Sequence, residues 1–124
     1  MRAMDRTVVV LGASDDVERY SFKATQKLLE QGFKAVPVNP RLRELLGVPA
    51  RSRLSEVEGP VDTLTIYLSP QRSTPLADEI VALAPRRVVL NPGAENPALE
   101  SRLDEAGTPW MHACTLVLLA TGRF

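Results

Sequence analysis

Residues 7–21 read TVVVLGASDDVERYS, and the fold turns on how this stretch divides. From Thr7 to Leu11 the run is β-branched and apolar without interruption, the form of a central parallel strand buried on both faces, and it closes at Gly12. Gly12-Ala13-Ser14 then supplies a tight turn. From 21 to 31 the positions Phe22, Thr25, Leu28 and Leu29 recur at helical spacing, with Ser21 as the expected N-cap and Gly32 where a left-handed C-terminal cap belongs. A buried strand, a glycine turn and a helix opening beyond it form a phosphate-binding arrangement in which backbone N–H groups and the Ser14 hydroxyl are placed to meet an anion. A dinucleotide loop would carry three glycines, and this one has Gly12 alone.

The alternation continues outward. Residues 33–38 (FKAVPV) read as a second strand, although Pro37 lacks a ladder donor, and they close on the turn pair Asn39-Pro40. Residues 41–60 are mixed: Leu42, Leu45, Leu46 and Val48 cover some core, Gly47, Pro49, Gly59 and Pro60 break any long element, and a short helical turn fits near 53–57. Residues 63–68 (TLTIYL) are a third strand. Ser69-Pro70 or Thr74-Pro75 then starts a helix whose buried face is Ile80, Val81, Leu83 and Ala84. Arg87 to Leu90 is a fourth strand ended by Asn91-Pro92-Gly93, and Asn96-Pro97 opens a helix that Gly107 stops. Trp110 and Met111 suit a short last strand, and the apolar tail beginning at Cys114 a buried last element.

This pattern predicts an α/β fold: a doubly wound, mostly parallel sheet with helices on both faces, in three layers with right-handed crossovers. The 124 residues fit one domain, 1–124, with one core. Ligands of such sheets bind beyond the carboxyl ends of the strands, here the loops after Leu11, Val38, Leu68 and Leu90.

Composition narrows the classes of function. The formal net charge is +0, with 44% hydrophobic and 24% charged residues, so there is no electrostatic footprint for nucleic acid or an anionic membrane. One cysteine excludes an internal disulfide framework and any multi-cysteine metal site, which fits a reducing, cytoplasmic setting. No apolar run approaches the roughly 20 residues needed to span a bilayer. Asp15, Asp16 and Glu18 read as a solvated loop rather than a metal site. His112 and Cys114 are two apart and would share one face of a strand, but no third group orienting the histidine is visible, so Cys114 reads as a small buried hydrophobe.

The second loop departs from a nicotinamide dinucleotide site, which wants an acid at the end of strand two for the ribose hydroxyls. Here Asn39-Pro40-Arg41 offers an amide, a rigid turn and a fixed cation, suited to a ligand with an extra phosphate on or near its ribose. Arg19 and Ser21, at the opening of the first helix, add donors toward a pyrophosphate.

The segments VVVLGAS, ERYSF, GFKAVPVNPR, GPVDTLTIYLSP and HAC occur in the order seen in the small coenzyme A-binding proteins of bacteria, which the chain resembles from about residue 7 to 116. These are stand-alone relatives of the CoA-binding domain of succinyl-CoA synthetase α subunits, and the resemblance implies a Rossmann-like fold. It also implies that Gly12, Ala13 and Ser14 face the pyrophosphate, with Arg19 and Ser21 on the family's arginine and serine. Asn39, Pro40 and Arg41 would face the phosphorylated adenosine, and Tyr67, Leu68, Ser69 and Pro70 the adenine or pantetheine wall. Tyr20 replaces a proline common in relatives, LNPG their glutamine-glycine segment, and HAC an acid-arginine-cysteine. The histidine phosphorylated in the synthetases lies on a second domain that has no counterpart in this chain.

The expected function is therefore binding of coenzyme A or an acyl-CoA by a module without turnover or with a regulatory role, alone or as a homodimer. One alternative is an enzyme or enzyme subunit that binds NAD(P) and reads its 2′-phosphate with Arg41. Another is a protein-interaction domain with a vestigial nucleotide site.

Overall fold

The computed structural model describes residues 6–124. In chain order the elements are β1 (Thr7–Leu11), α1 (Tyr20–Glu30), β2 (Lys34–Val38), β3 (Glu44–Leu45), β4 (Val48–Pro49), β5 (Thr63–Ile66), α2 (Pro70–Ser73), α3 (Ala77–Leu83), β6 (Arg87–Leu90), α4 (Pro97–Ala106), β7 (Trp110–His112) and α5 (Thr115–Ala120). Single 3-10 turns lie at Leu54–Glu56 and Thr74–Leu76. Five strands form one sheet in the order β2-β1-β5-β6-β7, every neighbouring pair parallel, and β3 and β4 form a separate antiparallel hairpin.

The valine run explains the layering. Val8, Val9 and Val10 are fully buried because β1 is an interior strand, flanked by β2 and β5 and covered on both faces. Val8 and Val10 belong to a core with Leu28 of α1 and Leu119 of α5; Val9 and Leu11 belong to another with Ile80 of α3 and Leu99 and Leu103 of α4. Alternating side chains thus feed two cores, and burying each contributes about 1.5–3 kcal/mol. The result is the expected three-layer, Rossmann-like α/β fold.

The local differences have identifiable causes. The N-cap of α1 is Arg19, without a side-chain bond, and Ser21 lies buried inside the first turn. The loop carries its own turn bonds: Glu18 N–H donates to Asp16 Oδ1 and Arg19 N–H to the Asp16 carbonyl, both at 3.0 Å, and these lead the chain into the helix ahead of Ser21. β5 stops at Ile66, so Tyr67 and Leu68 belong to the loop. Both proline starts are used, because Pro75 has no N–H to continue the helix begun at Pro70 and splits it into α2, a 3-10 turn and α3.

The β3–β4 hairpin is a new feature of the mixed segment, turning on Leu46 and Gly47, whose φ angles of 53° and 81° both lie in the left-handed region. The expected turn near 53–57 is the 3-10 turn at Leu54–Glu56. At the other end, the Asn96 side chain accepts from Leu99 N–H at 3.1 Å and caps α4, as expected. The last element is a helix buried on one side only: Thr115 and Leu119 are inside, whereas Val117 is exposed.

Gly12 has a φ of 88°, and a Cβ there would stand 2.9 Å from Leu68 Cδ2 and 3.3 Å from the Tyr67 carbonyl carbon. Gly93, with a φ of 92°, would meet nothing within 4 Å. Gly93→Ala should therefore show only the left-handed backbone cost of about 1–2 kcal/mol, and Gly12→Ala should lose clearly more. Urea denaturation of both variants measures the difference; equal losses would contradict the close approach of Leu68.

Candidate functional site

Because β1 lies between β2 and β5, the chain leaves β1 in one direction and later crosses back to the other side. This reversal sets the loops after β2, β1 and β5 side by side at the carboxyl edge of the sheet, the place where open α/β sheets form a crevice. A cleft of about 910 Å³ occupies it. Gly12, Ala13, Ser14, Arg19, Ser21, Asn39, Pro40, Arg41, Tyr67 and Leu68 all line this one cleft, whereas Ser69 and Pro70 do not. Ser69 instead precedes α2 as its N-cap, with Pro70 in the first turn.

The loops are bonded to one another. Asn39 Nδ2 donates to the Ala13 carbonyl at 2.7 Å, and Asn39 Oδ1 accepts from Arg41 N–H at 2.8 Å. Gly12 N–H and Ala13 N–H both donate to the Val38 carbonyl, at 3.1 and 3.3 Å. The Asn39 amide is thus committed to the scaffold, and so are two of the three backbone donors that the glycine turn offers on paper. Ser14 differs: its oxygen accepts from Asp16 N–H at 3.0 Å, which leaves the hydroxyl hydrogen to donate. The N-terminus of α1, with no side-chain cap at Arg19, opens beside it.

Sequence reasoning missed several lining residues. Ser52, Arg53 and Leu54 reach the cleft because the chain after β4 returns alongside β2: Arg51 N–H donates to the Pro37 carbonyl and Asn39 N–H to the Arg51 carbonyl, both at 2.9 Å. Arg72 of α2 and Leu76 and Glu79, from the helical segment after it, complete one wall. Four arginines line the cleft. Asp16 stands 3.9 Å from Arg19, and Glu79 3.7 Å from Arg53. Arg41 and Arg72 make no ion pair among the described residues.

Tyr67 is a half-buried lining residue of the cleft. Its ring packs on the α1 side of the sheet, and its hydroxyl is buried without a well-formed hydrogen bond. Burial pushes the phenol up from 10.0 to about 12, against a weaker downward pull from the nearby Thr115 and Thr65 hydroxyls. Those hydroxyls are engaged elsewhere: they stand 2.8 Å apart, and Asn91 Nδ2 donates to Thr65 Oγ1 at 2.6 Å while Asn91 Oδ1 accepts from Thr115 N–H at 2.8 Å. The asparagine of LNPG therefore ties β5 to the start of α5 beneath the cleft.

His112 and Cys114 do not share a strand face. His112 ends β7, whereas Cys114 is the partly exposed N-cap residue of α5, and neither lines the cleft. His112 does have an orienting partner, since its Nε2 faces Glu100 Oε2 at 2.8 Å. Among the described residues, no group of acids, histidines and cysteines has the arrangement of a metal site. No helix in the described residues is long and apolar enough to cross a membrane.

Two outcomes follow from this geometry. Asn39→Asp keeps size and shape but cannot donate to the Ala13 carbonyl, so it should cost about 1–3 kcal/mol in urea denaturation. Wild-type stability would show that the amide is dispensable. Tyr67→Phe removes an unsatisfied hydroxyl and should leave stability at pH 7 unchanged or higher. With its pKa at about 12 in the folded chain against 10.0, wild-type Tyr67 stays protonated on folding where the unfolded chain ionises. Native stability should therefore fall as pH rises through that interval, and Tyr67→Phe should flatten the fall. Parallel alkaline slopes for the two proteins would contradict it.

The comparisons agree with this architecture. A protein from Thermus thermophilus, called cell-free ID.343, superposes with a TM-score of 0.88 at 35% identity, covering 96% of this chain and 90% of that one. A crystal structure of an uncharacterised protein gives a TM-score of 0.89 at 37% identity, with 96% and 98% covered. YneT, an uncharacterised protein of Bacillus subtilis, is 32% identical over 76 residues, which are 61% of this chain and 56% of YneT. The α subunit of ADP-forming acetate–CoA ligase II of Pyrococcus furiosus is 38% identical over 68 residues, 54% of this chain and 15% of the subunit. The chain thus spans about half of one curated relative and a small part of the other. The model of the family described as the CoA binding domain matches residues 6–120, nearly the whole chain, and the protein belongs to that family.

Proposed function

We propose that the protein binds coenzyme A or an acyl-CoA in the cleft at the carboxyl edge of β2, β1 and β5, as a binding module rather than an enzyme. The observation that carries this reading is the convergence of the glycine turn, the start of α1, the Asn39-Pro40-Arg41 turn and Tyr67-Leu68 on one space. Its size, about 910 Å³, lies in the range of small-molecule pockets, roughly 300–1,000 Å³. In this reading the diphosphate lies over the Ser14 hydroxyl and the N-terminus of α1, where backbone donors and the helix dipole favour an anion. Arg41 takes the phosphate on the ribose, and Tyr67 and Leu68 supply apolar wall.

Two features favour binding over turnover. The described lining contains neither histidine nor cysteine, and its two acids stand beside arginines. The committed Asn39 also disfavours a nicotinamide dinucleotide, whose ribose needs an acceptor at the end of β2. Binding of an acyl-CoA without chemistry suits a regulatory or carrier role.

Thermal unfolding with CoA, dephospho-CoA, NAD and NADP tests the reading, because a ligand held only by the folded state stabilises it by about 2.7 kcal/mol at a hundredfold excess over Kd. CoA should give the largest shift, dephospho-CoA a smaller one, and Arg41→Ala should abolish the difference between them. Equal shifts for both ligands in the wild type would show that Arg41 does not read the ribose phosphate. A larger shift with NADP would transfer the site to the dinucleotide class.

A further inference from the structure

The cleft holds more positive charge than a single phosphate needs, and its distribution is uneven. Of the four lining arginines, Arg19 and Arg53 stand near the carboxylates of Asp16 and Glu79. Arg41 and Arg72 have no such partner among the described residues. They are also rooted on opposite sides of the glycine turn: Arg41 follows β2, Arg72 follows β5, and β1 with Gly12-Ala13-Ser14 lies between. Adjacent strands are about 4.8 Å apart, so β2 and β5, the strands these two arginines follow, are separated by roughly 10 Å across the sheet. Two acid-free arginines that line one cleft from either side of this turn suit a ligand with two separate phosphate centres, each able to accept a planar fork of N–H donors.

The backbone of Arg72 is firmly held although its side chain reaches solvent. Its neighbour Ser73 is fully buried, and Asn96 Nδ2 donates to Ser73 Oγ and to Thr74 Oγ1, each at 2.9 Å. The same Asn96 caps α4, so the one-turn helix α2 is fastened to the outer layer. Arg72 N–H and Ser73 N–H both donate to the Ser69 carbonyl at 2.9 Å and close the turn. An arginine mounted in this way presents its guanidinium from a fixed base, which reduces the entropy lost on binding.

We propose that Arg72 is a second phosphate-reading residue of this cleft, gripping the diphosphate of the ligand while Arg41 grips the phosphate on its ribose. The proposal deepens the coenzyme A reading and rests on it for the identity of the ligand. It makes the cleft selective for nucleotides that carry a diphosphate and a further phosphate at the sugar.

Isothermal titration of the wild type, Arg72→Ala, Arg72→Lys and Arg41→Ala with CoA, dephospho-CoA and ADP separates the roles. Arg102→Ala, which removes an arginine paired with Asp78 at 2.6 Å away from the cleft, is the charge-matched control. Arg72→Ala should weaken all three ligands by a common factor of about ten or more, with Arg72→Lys between it and the wild type. Arg41→Ala should weaken CoA alone. Unchanged affinities in Arg72→Ala, beside a wild type that binds CoA, overturn the role of Arg72 and leave the coenzyme A reading intact. A wild type that binds ADP through Arg72 but ignores CoA upholds the residue and overturns the ligand. Loss confined to CoA would move Arg72 to the ribose phosphate and overturn the division of labour. A wild type that binds none of the three overturns both proposals.

Discussion

The cleft depends on the side chain of Asn39. Its amide ties the loop after β2 to the turn after β1, donating to the Ala13 carbonyl while accepting from Arg41 N–H within its own loop. Only a group with both a donor and an acceptor can do this; a carboxylate at the same place would set its negative charge against the Ala13 carbonyl. The Val38 carbonyl adds two bonds from Gly12 and Ala13, so the ends of β1 and β2 form one hydrogen-bonded corner. The acid found at this strand end in nicotinamide dinucleotide sites is incompatible with that corner, and so the substitution of asparagine changes the scaffold as well as the chemistry.

Strand β1 was legible because its constraint is local. A run of valines that must feed two cores cannot alternate with polar residues, and Thr7–Leu11 does not. Gly32 and Gly107, both at positive φ after their helices, and the Asn96 cap were readable for the same reason: the residue that ends or starts the helix is the residue that bears the unusual geometry. Where the determining contact came from elsewhere, the reading slipped. Ser21 has the chemistry of a cap, but bonds made by Asp16 had already turned the chain into the helix. The β3–β4 hairpin was invisible because Leu46 holds a left-handed conformation that leucine does not advertise.

The site divides along the same line. The loops directly after β1 and β2 were found from the strands they terminate. Arg53 and Arg72 were not, since each reaches the cleft through a distant partner: the bridge of Arg51 to β2, and the bonds of Asn96 to Ser73 and Thr74. Glu100 beside His112 escaped notice likewise, a helix residue meeting a strand end twelve positions later. Ser69 and Pro70, which the family pattern placed on the wall, are occupied in starting α2.

The molecule as a whole is electrically neutral, yet four arginines and two acids share its cleft, an excess of two positive charges. At physiological ionic strength such a local excess is felt only within about 8 Å. A polyanion approaching from a distance meets no guiding field, so its encounter rate should vary little with added salt. For a phosphate ligand held as proposed, escape is another matter, because leaving would mean separating phosphate from guanidinium inside the cleft. Ionic strength should therefore act on the lifetime of the complex far more than on the speed of its formation.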